Sequence, residues 1–410
     1  MKAVPKGRAK VYGIAQIILS SLGFLGGIFG GLIMLLAGLF SNFIPADAGI
    51  GGKTVLVSGW SAIMVGIANI PGFLTALHHL QGKQSPSISA SLLKKTQFFL
   101  LAAFAVSIPG LWLTSRTPAL DILSALFIVL LVLIPILFFF WIGSGKFSLG
   151  SKTRTWGAVV FNFSTLMPVV IFVEIIIFLF AAILLGLWVF NRPDLLEQIT
   201  RLVDELSSAM IDPAAAEAFA KELLKEPVLL IGGALLITLV VPMVEEFLKP
   251  MAIWFLAGRN LTPSQGFVGG LIGGACFSLL ETLGSAGMAE GNDLFVLLLA
   301  RTATGLLHIA LSGLVGWGFA SAFYNKKWLF AIGTYLLAVV LHGTWNFFAI
   351  FSGLASFLPV MEESIQNLSD VLGKIAVFAL VVLFMINFAV LMGSRIRLEK
   401  STRQNNNPEL

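Results

Sequence analysis

Residues 228–257 read VLLIGGALLITLVVPMVEEFLKPMAIWFLA. A helix needs about 20 mostly apolar residues to cross a bilayer, and this run is longer than that. Ionisable side chains interrupt it only at Glu245, Glu246 and Lys249. A run of this length and character is a membrane span, and its three charges each need a reason to be there.

Nine further runs of the same kind surround it. The ten lie near 12–40, 55–78, 97–114, 120–142, 158–190, 228–257, 264–285, 294–323, 328–351 and 372–393. The composition agrees. Of 410 residues, 57% are hydrophobic and 11% charged, whereas soluble domains carry about 25% charged residues. So few charges cannot coat a water-facing surface, which excludes a soluble enzyme, a disordered chain and a secreted disulfide scaffold together. The expected fold is an all-α polytopic membrane protein of ten transmembrane helices. The one cysteine, Cys276, allows neither an internal disulfide nor a cysteine-based zinc site, and reads as a small packing residue.

The net charge of +5 would suggest nucleic acid in a soluble chain. Here the basic residues lie in short loops, where they report topology, so the bilayer and not nucleic acid is the expected partner. Lys2, Lys6, Arg8 and Lys10 precede an uncharged run reaching Phe40. That run is too long for a signal-peptide core, so an uncleaved first span is expected. With both termini cytoplasmic, cytoplasmic segments hold 17 of the 26 Lys and Arg, and outer segments hold 15 of the 21 Asp and Glu. The basic bias favours this orientation.

Four regions follow: an N-terminal membrane region of five helices at 1–190, an acidic outer loop at 191–227, a membrane core at 228–393 and a basic cytoplasmic tail at 394–410. The loop holds eight acidic and four basic residues. Its segments 194–210 and 213–225 read as helices, the second capped by Asp212 with Pro213 in the first turn. Gly23, Gly27 and Gly31 lie four apart, as do Gly266, Gly270 and Gly274. That spacing lets helix backbones approach closely in lipid, so both rows read as packing seams.

A charged side chain at mid-bilayer costs about 2.5–3.5 kcal/mol on insertion scales. Before residue 227 only Glu174 lies well inside a span, and it reads as a protonated or paired structural group. His78 and His79 fall at headgroup level, where hydrogen bonding accounts for them. The sixth to ninth spans are different, because each carries polar groups suited to acid–base or metal chemistry. The sixth has Glu245, Glu246 and Lys249, with Pro242 loosening the backbone before them. Glu245 and Lys249 are four apart, in the favourable order for an ion pair. The seventh carries Phe277 and Glu281, the eighth Arg301 and His308 on one face, the ninth His342 and Asn346. Together they read as one functional site.

Hydrolysis of a peptide bond needs an activated water, a general base and a donor to the oxyanion. Paired carboxylates with histidine can deprotonate water directly. Glu with two His can instead hold a divalent metal that lowers the water's pKa. Asn346, a His or Arg301 is then available to the oxyanion. No nucleophile elbow, P-loop or dinucleotide-binding glycine pattern is present, so water attack is favoured over a covalent enzyme and no dinucleotide cofactor is expected.

In order and placement these motifs resemble the PrsW family of intramembrane proteases, distant relatives of the CAAX prenyl proteases. Glu245-Glu246-Phe-Leu-Lys249 matches EExxK, 277–281 matches FxxxE, His308 lies in the third segment, and 342–346 matches HxxxN. The likeness covers about 242–348. It implies that Glu245 and Glu246 activate water with His308 and His342, that Glu281 joins them, and that Asn346 helps at the oxyanion. Lys249, Arg301 and Phe277 would support the site. A metal, zinc above all, would be held by His308, His342 and Glu281, although a metal-free Glu/His mechanism uses the same residues. The implied substrate is a membrane-anchored protein of the anti-sigma-factor type, cut near the outer face. The CAAX branch fits less well, because its second motif usually ends in His where this chain has Glu281.

By these boundaries Glu281 and His342 lie about 6 and 14 Å inside the outer surface, and Glu245 lies deeper. One site therefore requires the sixth helix to kink, tilt or begin later. The competing readings are a proton-coupled carrier and a noncatalytic relative that binds a partner helix. A carrier usually shows two related halves, whereas here the first half is nearly bare of intramembrane charge.

Overall fold

The computed structural model describes residues 7–40, 52–83, 90–207, 226–257, 261–286, 291–361 and 366–406. Regular structure within these residues is helical throughout. Ten helices are long and apolar enough to cross a bilayer, one for each expected run. The protein is a multi-pass integral membrane protein. The first expected loop helix is present as Pro193–Ser207; the second, at 213–225 with Asp212 before it, lies outside the described residues.

In chain order, α1 is Arg8–Leu39, α2 Gly52–Leu80, α3 Ala90–Thr114, α4 Asp121–Ser144 and α5 Lys152–Phe161. A π-turn at Asn162–Leu166 joins α5 to α6, Met167–Phe190, and the loop helix is α7. The sixth span is built in pieces: α8 at Pro227–Leu235, a π-turn at Leu236–Val240, α9 at Val241–Leu248, a break at Lys249 and Pro250, then α10 at Met251–Ala257. α11 (Pro263–Ala286), α12 (Gly291–Asn325), α13 (Trp328–Met361) and α14 (Gln366–Asn406) follow. Regular α-helical bonding in the sixth span is therefore interrupted on both sides of its acidic pair.

Two compact units emerge. One comprises Met1–Met167, Glu246–Ala338 and Phe384–Leu410; the other comprises Pro168–Glu245 and Val339–Leu383. In the first unit α11 is the centre. Of its most apolar stretch 83% is buried, against 6% for that of α3. Two glycine rows explain the difference. A Cβ on Gly266, Gly270 or Gly274 would strike the backbone oxygen of Gly316, Ser312 or His308 on α12. On another side, a Cβ on Gly273 would strike Lys249 O, and one on Gly269 would lie 2.8 Å from the Ile253 side chain. Lipid tails are as apolar as leucine, so close backbone packing rather than hydrophobic exclusion holds such helices together. The same device joins α1 to α2, where Gly27 and Gly31 lie against the carbonyls of Ala62 and Gly59. Ala125, Ile128, Val132, Ile136 and Phe139 of α4 complete the core against Leu271, Leu279 and Leu306. Phe29, Phe98 and Phe99 point outward, as suits a surface solvated by hydrocarbon.

The second unit is thinner. α6 buries only Val170 and Val189, and α8 buries nothing. At the aqueous end of α6, Arg192 donates to Asp194 at 3.0 and 3.1 Å and to Glu226 at 3.2 Å. The hydrogen bonds between Arg192 and Asp194 push the guanidinium above its ordinary pKa and hold the carboxyl below the usual range.

Candidate functional site

The interruption before the acids has a definite cause. In an α-helix the Thr238 carbonyl would accept from the N–H of residue 242; in a π-turn the Ile237 carbonyl would do so. Residue 242 is proline and has no N–H. The last wide bond runs from Val241 N–H to Leu236 O, and two carbonyls are left behind it. α13 packs against both and donates to one. Asn346 Nδ2 donates to Ile237 O at 3.1 Å. Gly343 lies so close to Thr238 O that any Cβ there would collide with it. One turn away, His342 Nε2 stands 3.9 Å from Glu245 Oε2. The HxxxN motif thus does two jobs within this unit: its histidine faces Glu245, and its glycine and asparagine hold the interrupted turn that presents Glu245. One N–H of the Asn346 amide is spent on Ile237, which leaves the second for a further acceptor.

This account makes a testable prediction. Asn346→Ala removes this donor from the Ile237 carbonyl, which lies within a membrane span where no water replaces it, a loss of about 1–3 kcal/mol. Pro242→Ala returns an N–H to position 242 and should recover most of that loss. Thermal unfolding of the four proteins in the cycle would test it. Strictly additive losses would show that the two residues do not share this carbonyl.

In the other unit the chain of contacts is continuous. Glu246 and Lys249 are wholly buried, and Lys249 Nζ donates to Glu246 Oε1 at 2.8 Å. The same ammonium lies 2.7 Å from His308 Nδ1. An ammonium has hydrogens and no lone pair, so Nδ1 must accept and the ring proton sits on Nε2. From there it is donated to Glu281 Oε2 at 2.9 Å. Glu281 Oε1 is held in turn by Arg301 Nη2 at 2.9 Å. With His308 neutral, the charges of Arg301, Glu281, Lys249 and Glu246 sum to zero, which is how the wholly buried Lys249 and Glu246 can be accommodated. The Phe277 ring packs edge-on to His308 and offers its face to Lys249 Nζ at 4.4 Å, a cation–π contact. Phe247, Trp254, Phe319 and Tyr335 cluster beside the helix break.

Every residue singled out in the sixth to ninth spans has thus found a place. Glu246, Lys249, Phe277, Glu281, Arg301 and His308 form one bonded set; Glu245, His342 and Asn346 form another; the peptide bond between Glu245 and Glu246 joins them. The sequence pointed to Glu245 as the partner of Lys249 at i+4; the residue accepting its hydrogen bond at 2.8 Å is Glu246, at i+3. Glu246 and His308 in one unit, and Glu245 and His342 in the other, are all buried, and each is of a type that ligates metal ions. The donor chemistry fits one. A metal-bound imidazole commonly gives its other N–H to a carboxylate, as His308 does to Glu281. Glu281, expected among the ligands, here bonds the His308 ring from behind. Sequence reasoning missed Gly343 and Gly273. The signal for Gly343 was its position within the motif, beside His342 and in register with the carbonyls that Pro242 cannot satisfy.

Buried carboxylates and imidazoles inside a polytopic membrane protein mark a functional site, suited to hydrolysis or to proton relay. Residues 199–391 match the model of the PrsW family intramembrane metalloprotease, so this part of the chain is a PrsW-family domain and the protein is a peptidase. No curated protein and no solved structure matches the chain. The family assignment decides against the carrier.

Proposed function

We propose that the chain hydrolyses a peptide bond of a membrane-anchored protein, using water activated by Glu245, Glu246, His308 and His342. The observation that carries this reading is that each of these four side chains is buried within a membrane span. A carboxylate of the pair takes the proton as water attacks the carbonyl carbon, and returns it to the leaving amine. Glu281, held by Arg301, sets the tautomer and orientation of His308. His342 and the second N–H of Asn346 face the developing oxyanion. When a divalent ion such as zinc is bound, Glu246 and His308 would be among the residues that hold it, and it would supply a Lewis acid that acidifies water.

The charge asymmetry of the loops supports cytoplasmic termini and cleavage near the outer face of a bacterial plasma membrane. The substrate would be a single-pass regulator of the anti-sigma-factor type, and 228–393 would be the catalytic core. The test uses purified protein in detergent with a set of single-pass bacterial membrane proteins. Wild type should cleave at least one, and the Glu245→Gln/Glu246→Gln variant none. Cleavage by that variant at the wild-type rate would overturn the reading. A parallel run with a chelator separates the metal-dependent reaction from the metal-free one.

A further inference from the structure

We infer that the Lys249 ammonium and a divalent metal ion are alternative occupants of one position, between Glu246 Oε1 and His308 Nδ1, so that Lys249 governs metal loading. The inference rests on the reading of Glu246 and His308 as site residues, and it concerns what lies between them.

The lone pairs decide it. His308 has two ring nitrogens. Nε2 carries the proton donated to Glu281, which Arg301 holds in place, and a protonated nitrogen cannot ligate. The nitrogen left for a metal is Nδ1, and it accepts from Lys249 at 2.7 Å. The Glu246 oxygen at 2.8 Å is engaged by the same ammonium. Lys249 thus occupies a donor atom on each of Glu246 and His308, two side chains of metal-ligating type. The pocket is built for a cation at this point, and the chain supplies one of its own.

The surroundings show how the exchange would work. The Lys249 carbonyl is seated against Gly273 of α11, where no Cβ could fit, so the backbone there is pinned. Pro250 ends the helical bonding directly after it. Withdrawal of the ammonium must therefore come from the four-carbon side chain swinging about its own torsions, past the Phe277 face that now supports it. A dication and an ammonium cannot share two donors, so each binds at the other's expense.

The experiment compares wild type, Lys249→Met and Lys249→Arg as full chains in detergent. Zn²⁺ binding is read by equilibrium dialysis with elemental analysis, and Co²⁺ binding by its visible absorption. Removing the competitor should tighten metal binding roughly 5- to 150-fold, the usual range for coupled equilibria. Lys249→Arg, which keeps a cation, should stay near wild type. If Lys249→Met does not fold, Lys249→Gln makes the same comparison, since it removes the cation and its shorter side chain withdraws from the two donor atoms. Equal affinity in wild type and the neutral variants would overturn the inference, as would the absence of metal binding in all of them. The same preparations are tested for proteolysis. Tighter binding in the neutral variants with no cleavage by wild type would sink the protease mechanism and leave the occupancy intact. Cleavage by wild type with equal affinities would do the reverse.

Discussion

Glu246→Gln is expected to lower cleavage about 10²- to 10⁴-fold, the usual contribution of a positioned general base, and to destabilise the protein at the same time. Glu245→Gln should lose comparable activity with a much smaller loss of stability. The asymmetry follows from the partners. Glu246 is wholly buried and accepts from the wholly buried Lys249, so neutralising it leaves an ammonium in a low-dielectric site. Breaking one side of a buried ion pair costs about 3–5 kcal/mol. Glu245 faces His342 at 3.9 Å, beyond hydrogen-bond distance, so an amide there breaks no buried ammonium–carboxylate bond. Thermal unfolding beside single-turnover kinetics reads both quantities. A Glu246→Leu/Lys249→Leu double variant should recover stability that Glu246→Leu alone loses, without recovering activity. If Glu246→Gln unfolds no more easily than wild type, the buried pair is not what holds this part of the core.

The two halves of that argument were legible to different degrees. Spans, motifs and the polar character of the sixth to ninth helices could be read directly, because bilayer thickness and the cost of intramembrane charge act on each segment separately. The Gly266, Gly270 and Gly274 seam was legible for the same reason, since period-four glycine is a local pattern. The pairings were not. Whether Lys249 meets Glu245 or Glu246 depends on where the helix stops, and it stops at Lys249 because Pro250 follows and Gly273 admits the Lys249 carbonyl. The tautomer of His308 depends on Lys249 and Glu281 approaching from opposite sides, and no spacing in the sequence encodes that. Pro242 was visible as a weak point in a helix. What it does could be seen only once Gly343 and Asn346 were found on the carbonyls it cannot serve.

Gly270→Leu should be the most disruptive substitution outside the charged residues, lowering stability by more than the roughly 1–3 kcal/mol typical of an overpacked core. Overpacking is ordinarily relieved by side chains changing rotamer. Here the obstacle is the Ser312 carbonyl, with Gly313 Cα behind it, and neither can rotate away. α12 as a whole would have to move off α11. One turn before Ser312 on that helix is His308, whose own carbonyl lies against Gly274 in the same seam. A shift that accommodates leucine therefore carries the imidazole away from Glu281 and Lys249, and displacement of about 1 Å in a catalytic group can cost about 10²-fold in rate. Stability and activity should fall together. Gly284→Leu on the same helix is the control, because no described atom lies within 4 Å of its Cβ position. It adds the same side chain and the same gain in helix propensity without touching the seam. Comparable unfolding temperatures for the two variants would mean that the α11–α12 contact is looser than the backbone distances describe.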